Sequence, residues 1–133
     1  MKNFLPLLLS LLAALSFSAV AADAAANKPK KGKLFHVVSI KFKASATAEQ
    51  IKAVEDAFHG LKKAIPAIAS LKWGTNVSPE KFDKGFTHCF ILSFDGPKDR
   101  DTYLVHPAHK AFGSVLGPVL EDVFVIDFVA KKN

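Results

Sequence analysis

The sequence predicts an α+β domain, and three observations carry that reading. Two β-branched and aromatic runs, one opening at Leu34 and one at Val123, are apolar on both alternating faces. Between Thr47 and Pro66 the apolar residues recur at spacings of three and four, the period of a helix. Turn residues then divide the remaining chain into two more strands and a second helical region. Taken in order, Leu34 to Phe42 reads as a strand with Leu34, Val38, Ile40 and Phe42 on one face and Phe35 and Val37 on the other. Thr47-Ala-Glu-Gln50 offers a capping box, in which the Thr47 hydroxyl and the Gln50 amide satisfy each other's backbone groups. Behind it Ile51, Val54, Phe58, Leu61 and Ile65 form a stripe, so this helix has to pack on something, and Pro66 ends it.

Ile68 to Val77 reads as a weaker strand interrupted by Gly74, followed by a loop at Ser78 to Gly85. Phe86 to Phe94 is a strong strand. Asp95-Gly-Pro97 turns the chain into a helix over Asp99 to Val105; His106-Pro107 interrupts it, and a second piece covers His109 to Leu120, broken at Gly117-Pro118. Val123 to Val129 is the last strand. The order βαββαβ is that of ferredoxin-like domains. There the first and last strands are antiparallel neighbours, which places Asp127 near His36. Helices can cover only one face of such a sheet, yet the strands at Leu34 and Val123 are apolar on both, so a second copy meeting the bare face in a two-fold dimer is expected.

The first 21 residues have a charged start, a short apolar core and the Ala19-Val-Ala21 end of a secretory signal, which predicts cleavage after Ala21. No second apolar segment long enough to span a bilayer follows, so the expected form is periplasmic or secreted without a membrane span. No lipidation cysteine follows the signal either. Residues 22 to 33, with Lys28, Lys30, Lys31 and Lys33 among Ala, Asn, Pro and Gly, read as a flexible basic linker. From Leu34 on, 13 basic residues face 11 acidic ones, so the folded part carries no charge excess that calls for a nucleic-acid partner. Residues 34 to 131 are one small domain with a single core. Cys89 is the one cysteine, read as a buried, inert thiol in an apolar strand.

Chemistry concentrates in Asp101-Thr-Tyr103-Leu-Val-His106-Pro-Ala-His109-Lys-Ala-Phe-Gly113 and in Asp127. A phenol, imidazoles and a carboxylate in apolar sequence are the material of an acid/base site. A carboxylate within an apolar strand is costly unless a donor meets it, and an imidazole is such a donor. His109 and Asp127 therefore read as a pair, either a base with its orienting group or a structural tie between the last strand and a helix. His106 and His109 are spaced as metal ligands but lack a third, so no metal site is assigned. His106 reads first as a stabiliser of the turn at Pro107, His88 as a satisfied core histidine and His59 as exposed.

Phe35-His36-Val-Val-Ser-Ile-Lys-Phe42, Ile65-Pro66, Trp73-Gly74, Gly85-Phe-Thr-His88 and Tyr103-x-x-His106-Pro-Ala-His109-x-x-Phe-Gly113 together resemble the stress-responsive A/B barrel domain family. The resemblance covers Leu34 to Lys131 and implies a homodimeric α+β barrel with a cavity between sheet and helices in each subunit. One plant member is a polyketide cyclase that closes a ring without metal or organic cofactor; others are stress-stable proteins with no known reaction. The resemblance implies His109 and Tyr103 as catalytic groups, Asp127 as the orienter of His109, and His36 as a pocket histidine. With His106, Phe58 and Phe90 as further contacts, the expected ligand is a small apolar or aromatic molecule. The expected activity is cofactor-independent proton transfer next to a carbonyl; the alternative is a non-catalytic stability protein in which the same cluster is structural. Glu55 and Phe90 depart from the cyclase's pattern, which predicts a different or shorter ligand.

Overall fold

A computed structural model describes residues 32 to 131. The predicted export signal and the linker through Lys31 lie outside the described residues. The elements run β1 (Leu34–Phe42), α1 (Ala48–Ala64), β2 (Ser70–Thr75), β3 (His88–Phe94), α2 (Pro97–Val105), α3 (Pro107–Leu116), a short 3-10 helix (Gly117–Val119) and β4 (Leu120–Val129). The strands form one antiparallel sheet in the order β2-β3-β1-β4, the ferredoxin-like arrangement.

The local signals act as expected where their chemistry is local. Thr47 and Gln50 form the capping box on α1, with the Gln50 N–H donating to Thr47 Oγ1 at 3.2 Å and the Thr47 N–H donating to Gln50 Oε1 at 2.9 Å. Pro107 does not end the helical region; it opens α3 at the first turn, where a missing N–H costs nothing. β4 starts three residues earlier than its apolar run, because Leu120 pairs with Phe42 across a register shift at Lys41/Phe42. Residues 32 and 33 lie against the end of β4: the Ala130 N–H donates to Lys33 O at 3.3 Å, and a Cβ on Gly32 would meet Ala130 O at 2.8 Å.

The core lies between the helices and one face of β1 and β3. Leu34, Val38 and Ile40 of β1 and Phe90, Leu92 and Phe94 of β3 meet Val54, Phe58 and Leu61 of α1 and Phe112 and Leu116 of α3. Phe58 stacks on Phe90 with ring centroids 3.8 Å apart, and Phe112 closes edge-on at 4.9 Å. The other face of the sheet is bare. Its Phe124, Ile126 and Phe128 are 46 to 51 % exposed, with Phe35 and Val37 half-buried beside them. Cys89 belongs to this face, opposite Ser39 and Gly74, and is half-buried rather than buried.

Candidate functional site

His36 and Asp127 face each other in register across β1 and β4. His36 Nδ1–H donates to Asp127 Oδ1 at 2.6 Å. The imidazole is buried, while the Asp127 side chain keeps about a quarter of its surface in solvent, 26 %. The second carboxylate oxygen accepts from Arg100, which also donates through Nε to Asp101 Oδ1 at 2.7 Å. Helix α2 begins at Pro97, and this phase sets Arg100 and Tyr103, three residues apart, on the side of the helix that meets the sheet. Tyr103 is 1 % exposed. Its ring lies edge-on to His36 at 5.5 Å, against Phe94 at 5.4 Å and against His109 of α3 at 4.3 Å.

His109 Nδ1–H donates to the Leu104 carbonyl at 3.1 Å. Asp127 therefore orients His36 and not His109, whose tautomer is set by a backbone carbonyl. The reason is topological: β4 and β1 are hydrogen-bonded neighbours, so the β1 histidine reaches the carboxylate first. Both imidazoles thus hold their proton on Nδ1 in the neutral form and present the Nε2 lone pair. Among the described residues, no hydrogen-bond partner meets the Tyr103 hydroxyl, His36 Nε2 or His109 Nε2, and each of these atoms keeps some contact with solvent.

Electrostatics sorts these groups into roles. Burial works to raise the Asp127 carboxyl, but the hydrogen bonds from His36 and Arg100 outweigh it and hold the group below the usual carboxylate range. Burial, with the Asp127 charge adding to it, pushes the Tyr103 phenol above its ordinary value. Tyr103 is therefore a neutral O–H donor and not a phenolate.

The other predicted contacts lie elsewhere. His106 is the N-cap of α3, its Nδ1 accepting from the Ala108 N–H at 3.1 Å, so its ring serves the turn. Phe58 and Phe90 are stacked in the core and fill the centre of the space between sheet and helices where the expected cavity would lie. The described residues form a surface depression of about 350 Å³ at the β2–β3 end around Gly74, Phe86 and Cys89 and another of about 250 Å³ between α1 and α3. Neither is lined by His36, Tyr103, His109 or Asp127. The cluster's open flank is instead the β4 edge, where Val125, Asp127 and Val129 are exposed. No group of three or more His, Cys, Asp or Glu residues among those described could hold a metal ion.

Sequence reasoning missed two participants. Arg100 sits in Lys98-Asp-Arg-Asp101, a charged run that reads as a solvated face; only its spacing from Tyr103 points inward. Glu55, outside the apolar stripe of α1, accepts from His88 Nε2–H at 2.9 Å. Its position four residues after Ile51 and three before Phe58 places it at the border of the apolar stripe, and that was the available signal.

The model of the family described as the stress responsive A/B barrel domain matches residues 34–130. The chain belongs to that family. Among its relatives, olivetolic acid cyclase of Cannabis sativa is 29% identical over 97 residues, covering 73% of this chain and 96% of the relative. The stress-response A/B barrel domain-containing protein HS1 of Arabidopsis thaliana is 32% identical over 98 residues, covering 74% of this chain and 90% of the relative. A crystal structure of an Arabidopsis thaliana protein superimposes with a TM-score of 0.70 at 29% identity, over 75% of this chain and 97% of that one. As a member of the stress-responsive A/B barrel family, the chain carries its Tyr103, His109, His36 and Asp127 at the meeting of α2, α3, β1 and β4.

Proposed function

We propose that this A/B barrel protein is an exported homodimer that binds a small apolar or aromatic ligand beside Tyr103 and performs cofactor-independent acid/base chemistry on it, of the enolate type. One observation carries the reading: three uncommitted groups, His36 Nε2, the Tyr103 hydroxyl and His109 Nε2, belong to rings that contact one another, while each imidazole is locked through its other nitrogen. In this scheme one Nε2 takes a proton from carbon next to a carbonyl, and the phenol donates to the oxygen on which charge develops. The same imidazole, now protonated on Nε2, returns the proton. Asp127 supports the imidazolium form of His36 without itself leaving the ionised state. The name of the cyclase relative is consistent with such chemistry. The filled centre between Phe58 and Phe90 favours a short ligand.

The dimer follows from the bare sheet face. Phe35, Val37, Ile91, Phe124, Ile126 and Phe128 are contiguous by register and too apolar to face water, and a second copy meeting them about a two-fold axis is the simplest cover. Export to the periplasm or medium rests on the signal-like first 21 residues.

Thermal-shift screening of residues 22–133 against aromatic acids and β-diketones, with Tyr103→Phe and His109→Ala alongside, tests the site. A compound that raises the Tm of the wild type and of neither variant is the expected result. If nothing binds and both variants melt well below the wild type, the cluster is structural and the chain is a stability protein of the family's non-catalytic kind.

A further inference from the structure

We infer that Arg100 is a positioning residue, acting through Asp127 to keep the His36 imidazole in its hydrogen-bonded orientation as the pH falls. This rests on the reading above only in treating His36 as part of a site; the geometry stands without it. Asp127 lies on β4, a sheet edge with its side chain partly in water, so a carboxylate tied by His36 alone would be free to turn outward. Arg100 takes the oxygen that His36 leaves open, and Asp101 in turn steadies the guanidinium through Nε. The result is a chain from Asp101 through Arg100 and Asp127 to His36, carrying the phase of α2 to a β1 side chain. Both Asp127 oxygens are thereby committed, which reserves the carboxylate for orientation.

The groups that face this pair are few. α2 contributes Arg100, Asp101 and the neutral Tyr103; α3 contributes His109, held against Tyr103; β1 contributes His36 itself; β3 sets the apolar Leu92 and Phe94 beside His36. Among the described residues, Arg100 is the one fixed cation in direct contact with Asp127. Its loss therefore makes the carboxylate easier to protonate, and a protonated Asp127 no longer holds the imidazolium.

The test is a pH titration by NMR of the full chain without its signal, following the His36 Nδ1–H proton that the 2.6 Å bond to Asp127 protects. Asp127→Asn assigns the signal. In the wild type the signal should persist below the ordinary carboxylate range. In Arg100→Leu it should disappear at a midpoint about one pH unit higher, the lower end of what one opposite charge at contact distance produces. Should Arg100→Leu not fold, Arg100→Gln carries the same comparison. A folded variant with an unchanged midpoint overturns the role and leaves Arg100 a surface ion pair. Since no substrate enters the experiment, that failure is separate from a failed ligand screen.

Discussion

The sheet carries two imidazole–carboxylate pairs on its helix-facing side, and they differ in what they leave free. His36 with Asp127 sits where β1 meets β4; His88 with Glu55 sits where β3 meets α1. The histidine side chains are equally buried, at 7 % exposure, and the carboxylates nearly so, at 26 % and 25 %. Yet His88 has both ring nitrogens engaged, Nε2 by Glu55 at 2.9 Å and Nδ1 by the Thr87 hydroxyl at 2.8 Å, and Trp73 stacks at 6.2 Å while Phe42 closes edge-on at 5.1 Å. Among the described residues, His36 keeps one nitrogen without a partner and borders a phenol in the same condition. Burial and a carboxylate do not make a site; an uncommitted atom beside another uncommitted atom does.

The largest expected effect sharpens this contrast from the structural side. His88→Ala empties the space beneath Trp73 and leaves Glu55 without its donor. The expected cost is about 2 kcal/mol, roughly 10 °C in Tm, with ligand binding at Tyr103 retained. Calorimetry of the variant measures the first, and the same ligand screen measures the second. Loss of binding in a folded His88→Ala protein would merge the two pairs into one site and break the comparison.

Asp127→Asn comes next, at about 1 kcal/mol near neutral pH, because the side chain is partly exposed and solvent screens the charged contacts. The cost should depend on pH. The folded-state carboxyl is lowered, so its contribution is complete above the unfolded value near 4, shrinks as pH falls through the lowered value, and is gone once both states are protonated. Denaturant melts of wild type and variant should therefore separate at pH 7 and converge in acid. A gap that stays constant to low pH would assign the loss to packing.

These pairs also show how far the residues could be read in advance. That Asp127 lies near His36 followed from the βαββαβ order, which makes the first and last strands neighbours; the direct pairing of the two residues is a fact of register. His88 shares a face with Phe90, Leu92 and Phe94 by alternation, which marked it as a core histidine. Which imidazole Asp127 serves was not legible, because His109 reaches the cluster through a helix whose phase is set by Pro107, and a helix phase error of one residue turns a side chain by about 100°. Arg100 was hidden for a different reason: a charged residue amid Lys98, Asp99 and Asp101 gives no apolar pattern to betray an inward side. The filled centre depends on ring stacking between Phe58 and Phe90, a packing fact beyond the reach of periodicity.

Tyr103→Phe carries the smallest stability effect and separates the two readings of the cluster most cleanly. The ring is buried against His36, Phe94 and His109, and phenylalanine keeps that packing. The hydroxyl it removes meets solvent rather than a hydrogen-bond partner among the described residues, so no donor or acceptor is orphaned. The expected change in stability is within about half a kcal/mol of zero, while stabilisation by a carbonyl-bearing ligand is lost because the donor hydroxyl has gone. A structural hydroxyl would behave in the opposite way: its removal would lower the melting temperature by several degrees and leave ligand binding as it was.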